Sequence, residues 1–310
     1  MATRGLRSGL AGFAMVCVLT ACSGGGPAAP GPVSHADVVG APSATPPAPA
    51  ILRPREARPE RAGARELLLE VYFLRTVAGR QYLVPERHAL PATKAVAAAA
   101  LRELLSGRPL FPGSRPPFAA GTRLRGVRLD GGTATVDLSR EVLRGPSGDR
   151  ERYPLQALVH TVTQFRTVKR VVVAVEGRVS GAVAGRSLTE FWDVAPGEPL
   201  VRDRTIRLAP IALATPVPGS VVPGGRLVVK GEASVHEGNV SLRLRDAGGR
   251  VMAQGYTTAA TGAPGRGPFS GALSFAAPDR PQRWTLEVFE VSAEDGRVVY
   301  RVHVPVHVGR

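Results

Sequence analysis

Cysteine is almost absent from this sequence. The 310 residues contain two, Cys17 and Cys22, both within the first 22 positions. Residues 23–310 therefore carry no thiol, which excludes disulfides, Cys/His zinc sites, Cys nucleophiles and redox pairs. Apolar burial alone must hold the fold, and with 44% hydrophobic residues a chain of this length supports two cores. Aromatics are scarce at 5%, and there is no basic arm. The net charge of +15 divides into +2 over residues 1–22, +2 over 23–65, +6 over 66–203 and +5 over 204–310, mostly as scattered Arg. Nucleic-acid binding calls for a clustered basic face with stacking aromatics, so that class is set aside. The spread charge suits contact with anionic headgroups or wall polymer, or simply a solvated Arg-rich surface. No Gly-x-Ser-x-Gly elbow surrounds any serine. The N-terminal apolar run is too short to span a membrane.

That run follows Arg4 and Arg7, extends from Leu10 to Leu19 and closes on Leu19-Thr20-Ala21-Cys22. A charged start, an apolar centre and a small-residue end make residues 1–21 a secretory signal. The cysteine directly after Leu-Thr-Ala resembles the lipobox of bacterial lipoproteins. The resemblance implies cleavage before Cys22, lipidation of Cys22 and retention at the cell membrane, lipid-anchored on its extracytoplasmic face. Residues 22–65 follow as a tether. Ser23-Gly24-Gly25-Gly26-Pro27 and Ala41-Pro42-Ser43-Ala44-Thr45-Pro46-Pro47 have no hydrophobic period and bury too little to offset chain entropy.

The first domain is expected over 66–195. Leu67–Leu74 and Gln81–Val84 read as strands around an Ala78-Gly79-Arg80 turn. Val96, Ala97, Ala100, Leu101, Leu104 and Leu105 repeat at the spacing of one helical face, with Thr93 as N-cap and Gly107 as terminator. Leu124–Leu129 and Thr133–Leu138 flank Asp130-Gly131-Gly132 as a hairpin. A second helix is predicted from Tyr153 to Phe165, lined by Leu155, Leu158, Val159, Val162 and Phe165, and a valine strand runs from Arg170 to Val175. The order ββαββαβ gives an α+β fold with helices on one face of a small sheet.

These residues carry a resemblance. Tyr72-Phe73, Tyr82-Leu83-Val84-Pro85-Glu86, Leu104-Leu105-Ser106-Gly107, Gly121-Thr122, Val136-Asp137-Leu138-Ser139 and Thr161-Val162-Thr163-Gln164-Phe165 follow one another as in the GerMN domain of sporulation, spore-germination and other envelope lipoproteins. It departs from the family pattern at Gly107-Arg108-Pro109 and Ala120, both in one long loop. From the residues themselves, Ser139 is placed to cap a short Arg140–Leu143 segment, and Thr161 and Gln164 to satisfy backbone groups near the valine strand. A hydrolase arrangement of Asp137, Ser139 and His160 is the catalytic alternative, and a non-catalytic His160 beside the apolar stripe is the commoner case. Glu190-Phe191-Trp192-Asp193 closes the domain, with Trp192 read as buried at the boundary, and residues 196–205 read as a linker.

From Ile206 to Arg310 the pattern is all-β, about seven short strands suggesting an immunoglobulin-like sandwich without the disulfide, with Trp284 as its core aromatic. Val240-Ser241-Leu242-Arg243-Leu244 alternates strictly and places Arg243 and Arg245 on the solvent face. Pro216-Val217-Pro218-Gly219, Gly231–Gly238 and Asp295-Gly296 resemble the immunoglobulin-like domain of bacterial spore-germination proteins. His303 and His307 share a face of the last strand but lack a third ligand, and Pro305 between them marks an edge, so no metal or other cofactor is expected.

Two functions remain open from sequence. One is a non-catalytic, lipid-anchored envelope protein that binds exported proteins or cell-wall polymer, with self-association through the GerMN-like domain implied by the resemblance. The other is an enzyme acting on peptidoglycan or another glycan, which needs paired carboxylates in a cleft. Glu86, Glu103, Glu141 and Asp137 are available but at no motif spacing. A groove with two carboxylates and no counter-charge favours the enzyme, and a flat or strand-edge surface favours the scaffold.

Overall fold

The computed structural model describes residues 65–145, 152–192, 195 and 197–309. The signal, Cys22 and nearly all of the tether lie outside these residues. Two alternating apolar runs open the fold as a hairpin, β1 (Glu66–Val77) with β2 (Arg80–Pro91), in unbroken register from Glu66↔Pro91 to Val77↔Arg80. Ala78 and Gly79 both take positive φ, as a two-residue turn matched to strand twist demands. Helix α1 (Val96–Ser106) follows and ends on Gly107, whose left-handed backbone returns its N–H to the Leu104 carbonyl. Its start differs from expectation. Ala95 occupies the N-cap without a side-chain cap, and Thr93 Oγ1 instead accepts from Ala95 N–H in a local turn.

Strands β3 (Leu124–Asp130) and β4 (Thr133–Leu138) meet at Gly131-Gly132, both with positive φ. A crossover through a 3-10 turn (Arg140–Arg144) and helix α2 (Arg152–Val162) then brings β5 (Arg170–Val175) parallel to β4. A two-residue pair, β6 (Ala182–Val183) with β7 (Arg186–Ser187), and a short α3 (Leu188–Trp192) complete the domain. Beside the β6-β7 pair the strands form two larger sheets, β1-β2 and β3-β4-β5. Helix α2 is therefore not a one-faced amphipath. Leu155, Leu158, Val159 and Val162 join Val71, Phe73, Val136 and Val173 in one core, while Ala157 packs with Tyr72, Leu74, Leu83 and Ile206 in another. Phe191 is buried, with the Arg186 guanidinium 4.6 Å above its ring. The side chain of Trp192 lies outside the described set.

The stretch after residue 196 is laid along the first domain. Leu200 bridges Val171 antiparallel, and Leu208 bridges Leu83 parallel, with Ile206 buried between them. The chain then enters eight strands: β8 (Ile211–Thr215), β9 (Val221–Pro223), β10 (Arg226–Ala233), β11 (Asn239–Arg245), β12 (Val251–Thr258), β13 (Gly267–Ser274), β14 (Gln282–Val291) and β15 (Val298–Gly309). They make a sandwich of a three-stranded sheet, β13-β10-β8, and a five-stranded sheet, β12-β11-β14-β15-β9. Trp284 lies in its core, 1% exposed, with Nε1–H donating to Gln282 Oε1 and its ring edge-on to Phe275. Pro305 is not at a bare edge. Strand β15 pairs with β14 along its length and with β9 from His307 on, and the Pro305 carbonyl accepts Gly219 N–H. Proline costs no ladder bond there because β9 has not yet begun.

The two domains meet through buried side chains. Val84 of β2 and Phe111 of the 108–121 loop belong to the core of the sandwich, and Tyr82 stands edge-on to Tyr300, ring centres 5.6 Å apart. Arg75, 4% exposed, donates to the Pro112 carbonyl and Ser114 Oγ. Burial pushes the Tyr300 phenol up, opposed by the charge of Arg75. Arg266, from the sandwich, donates to the Ala209 carbonyl.

Candidate functional site

The hydrolase arrangement does not assemble. Asp137 accepts from Arg125 Nε at 3.2 Å on one carboxylate oxygen and from Gly177 N–H at 2.9 Å on the other. Arg125 also reaches Glu176, whose second oxygen accepts Arg140 N–H, so this cluster ties the ends of β4 and β5 together. Ser139 occupies the N-cap of the 3-10 turn but does not cap it with its side chain. Its Oγ accepts Arg123 N–H at 2.9 Å, joining the entry of β3 to the exit of β4. A hydrogen bond from Ser139 also lowers the Glu141 carboxyl below its ordinary range.

His160, in α2, is hydrogen-bonded to neither Asp137 nor Ser139. Its ring lies 5.0 Å from that of Tyr72, 5% exposed, and neither ring nitrogen has a hydrogen-bond partner. Burial, followed by the charge of Arg202, lowers its pKa to about 4, so the ring is neutral near pH 7. A base needs a partner within hydrogen-bond reach, and this imidazole has none. Tyr72 beside it is pushed up by burial first and by Glu70, which accepts its hydroxyl at 3.1 Å.

Thr161 and Gln164 satisfy backbone, but of β1 rather than the valine strand. Thr161 Oγ1 accepts Tyr72 N–H at 3.1 Å. Gln164 Oε1 accepts Glu70 N–H at 3.0 Å, and its Nε2 donates back to the Glu70 carbonyl and to the Thr161 carbonyl. Arg115 extends the same edge by exchanging two backbone bonds with Leu74. The free edge of β1 is thus closed by side chains and one bridge, which removes a template for pairing with another chain. Thr163 supplies the remaining polar group of that motif, donating to the Val159 carbonyl and accepting Arg202 Nε–H at 2.7 Å.

One constellation was not foreseen. Glu86 and His88 share a face of β2, and α1 brings Glu103 against them. His88 Nδ1 is 2.9 Å from Glu103 Oε1, and His88 Nε2 is 3.6 Å from Glu86 Oε2. The Glu86 carboxylate also accepts Leu110 N–H, which anchors the Pro-rich loop. Glu86 and His88 are buried. Among the described residues no acidic/histidine group is arranged to hold a metal. Alternation in β2 placed Glu86 and His88 together. Glu103 needed the docked helix.

Carboxylates do occur in an open trough of about 740 Å³ between the hairpin and the outer face of β8-β10-β13, floored by Ala212, Ala214, Pro268 and Ser270. Glu70 and Glu232 line it together with Arg87 and Lys230, and Arg87 Nε is 4.0 Å from Glu70. Its acids therefore come with counter-charge. The floor is the flat, small-residue surface of a sheet.

Comparison with known proteins agrees with this architecture. Residues 70–180 match the family described as sporulation and spore germination (Germane). Residues 210–297 match the immunoglobulin-like domain of bacterial spore germination (Gmad2). Among solved structures the chain is similar to the tandem GerMN domains of the sporulation protein GerM from Bacillus subtilis, at 24% identity and a TM-score of 0.37, with 48% of this chain and 51% of that one covered. The chain thus spans about half the length of that structure. It is also similar to the first GerMN domain of the same protein, at 26% identity, TM-score 0.34, and 44% and 96% coverage. A putative lipoprotein from Clostridium perfringens is 15% identical, with a TM-score of 0.30 and 44% and 88% coverage. No curated protein matches significantly. This chain is therefore similar, over residues 70–180, to the sporulation and spore germination family and, over residues 210–297, to the immunoglobulin-like domain of bacterial spore germination.

Proposed function

We propose that the protein is a non-catalytic scaffold of the cell envelope, anchored by lipid at Cys22 on the extracytoplasmic face of the membrane and binding exported proteins or wall polymer in a sporulation- or germination-related assembly. One observation carries the non-catalytic reading. Of the polar residues that a hydrolase would use, Asp137 and Ser139 are committed to holding the backbone of Gly177 and Arg123, and His160 is enclosed and unpartnered. The carboxylates that do face an open trough are accompanied by cations, which is unsuited to a general acid and base facing each other across a glycan. The joined domains support a scaffold, because a partner meets one extended surface rather than two modules on a hinge.

The test is crosslinking on intact cells with identification of the captured material, in parallel with labelled palmitate incorporation into the wild-type chain and Cys22→Ala. The scaffold reading expects exported proteins, wall polymer or further copies of the chain on the wild type, and label lost with Cys22. Release of muropeptides by the purified chain ends the non-catalytic reading, and palmitate in Cys22→Ala at wild-type level ends the anchor.

A further inference from the structure

The outer face of the five-stranded sheet concentrates more cationic donors than its own acids can use. Register places Arg243 opposite Glu287 and Glu287 opposite His303, with Ser241, Phe289 and Arg301 in the adjoining row. Glu287, whose side chain is 8% exposed, has Arg245 Nε at 3.1 Å, Arg301 Nη1 at 3.4 Å, Arg243 Nη1 at 3.6 Å and His303 Nε2 at 3.6 Å. Three guanidiniums thus surround one carboxylate, leaving two positive charges over, before His303 is counted. The donors are in surplus too. Arg245 adds the Gly249 carbonyl, but Arg243 makes an ion pair without a hydrogen bond, and the Nε groups of Arg243 and Arg301 are buried without a partner. Arg243 and Arg301 both lie over the Phe289 ring, at 4.9 and 5.7 Å, which fixes their planes. Tyr256, opposite Ser241 in the same row, is 74% exposed.

We infer that this face, centred on Arg243, Arg301 and Glu287, docks an acidic protein surface whose Asp or Glu side chains pair with the positive charge left over on its partly exposed guanidiniums. The inference rests on the scaffold reading and names the chemistry of its partner. Guanidinium forks match carboxylates bidentately, and forks already ordered on an aromatic ring lose little freedom on binding. An exposed Tyr beside ordered Arg is the composition of an interface centre. A second copy of this chain lacks the complement, since both folded segments are themselves net positive, +6 over residues 66–203 and +5 over 204–310. A diffuse polyanion or lipid surface is served by protruding cations, whereas these side chains are only 28–35% exposed and turn inward on Glu287. Glu287 holds the site open as an internal substitute for the partner's acid.

The test measures binding of poly-L-glutamate to the full chain, with polyphosphate and phosphatidylglycerol vesicles as competing probes. Arg243→Gln with Arg301→Gln should weaken polyglutamate binding by about tenfold or more, the loss of two charge-assisted contacts. Arg128→Gln with Arg170→Gln, the same charge removed from the first domain, should change it less than about twofold. Glu287→Gln should strengthen it. Equal weakening by both pairs, weaker binding in Glu287→Gln, or a face that governs polyphosphate or vesicle binding in preference to polyglutamate overturns the inference. If crosslinking captures no envelope partner while these variants behave as expected, the scaffold reading falls and the surface chemistry stands.

Discussion

Replacing Thr161 by Val removes one oxygen and keeps the shape of the side chain. That oxygen accepts Tyr72 N–H, 89 residues away in sequence, at a site where Thr161 is 0% and Tyr72 5% exposed. No water reaches the amide to replace the bond. An orphaned buried donor costs about 1–3 kcal/mol, and the extra methyl returns about 0.5 kcal/mol through apolar burial, for a net loss of about 1.5 kcal/mol. The described residues form one compact unit, so the loss should appear as a fall in Tm of about 3–6 °C and a lower urea midpoint at unchanged slope. Hydrogen exchange localises it: Tyr72 should lose protection while the sandwich strands keep theirs. Thr161→Ser, which retains the hydroxyl, should cost only about 1 kcal/mol for its lost methyl. A loss below about 0.5 kcal/mol for Thr161→Val, or unaltered exchange at Tyr72, would refute the claim that this side chain holds the edge of β1.

Stability should also fall with acid through His160. The folded state holds this ring neutral down to about pH 4, whereas the unfolded chain takes up a proton below about pH 6.5, so stability present above pH 6.5 is lost as pH falls, by about 3 kcal/mol in all. His160→Leu should flatten the urea-midpoint profile between pH 6.5 and 4.5, and an unchanged slope counts against the neutral ring. Gly231→Ala should destabilise by about 3 kcal/mol in thermal melts, because its Cβ would lie 2.2 Å from the Ala212 carbonyl and 2.9 Å from the Phe269 ring at the bulge joining β10 to β8. Phe111→Ala should cost about 3–4 kcal/mol and open the domain junction to limited proteolysis, and a cost under about 1 kcal/mol would mean that Phe111 is not part of the sandwich core.

Local rules made the longer strands, helices α1 and α2 and two tight turns of the first domain legible. Gly79 and Gly131-Gly132 supply the backbone that a two-residue turn requires, and α1 repeats its apolar face without interruption. Strands β8 and β9 carry weak local signals: β8 alternates Ile and Leu with Ala, and β9 is three residues long and ends in Pro223. What sequence did not reveal is where polar side chains go. Gln164 finds Glu70 across 94 residues, a pairing set by how α2 lies along β1 rather than by any spacing in the chain. The inward role of Arg243 was hidden in the same way. Alternation put it on the outer face, but only strand order brings Glu287 and Arg301 beside it. Phe111, in a Pro-rich loop, gave no sign that its ring belongs to the other domain's core.

The boundaries of the matched families do not coincide with the boundaries of the hydrophobic interior. The immunoglobulin-like match stops at residue 297, one position before β15, whose Tyr300, Val302, Val304, Val306 and Val308 fill one side of the sandwich. The other match ends at residue 180, ahead of the segment that carries Leu200, Ile206 and Leu208 back across the first domain. Excising either piece at those limits would strip a strand from one fragment and leave Val84 and Phe111 of the other facing water. Experiments on isolated fragments would then report the stickiness of a torn seam, and the smallest dissectible portion of this protein runs unbroken from β1 to β15.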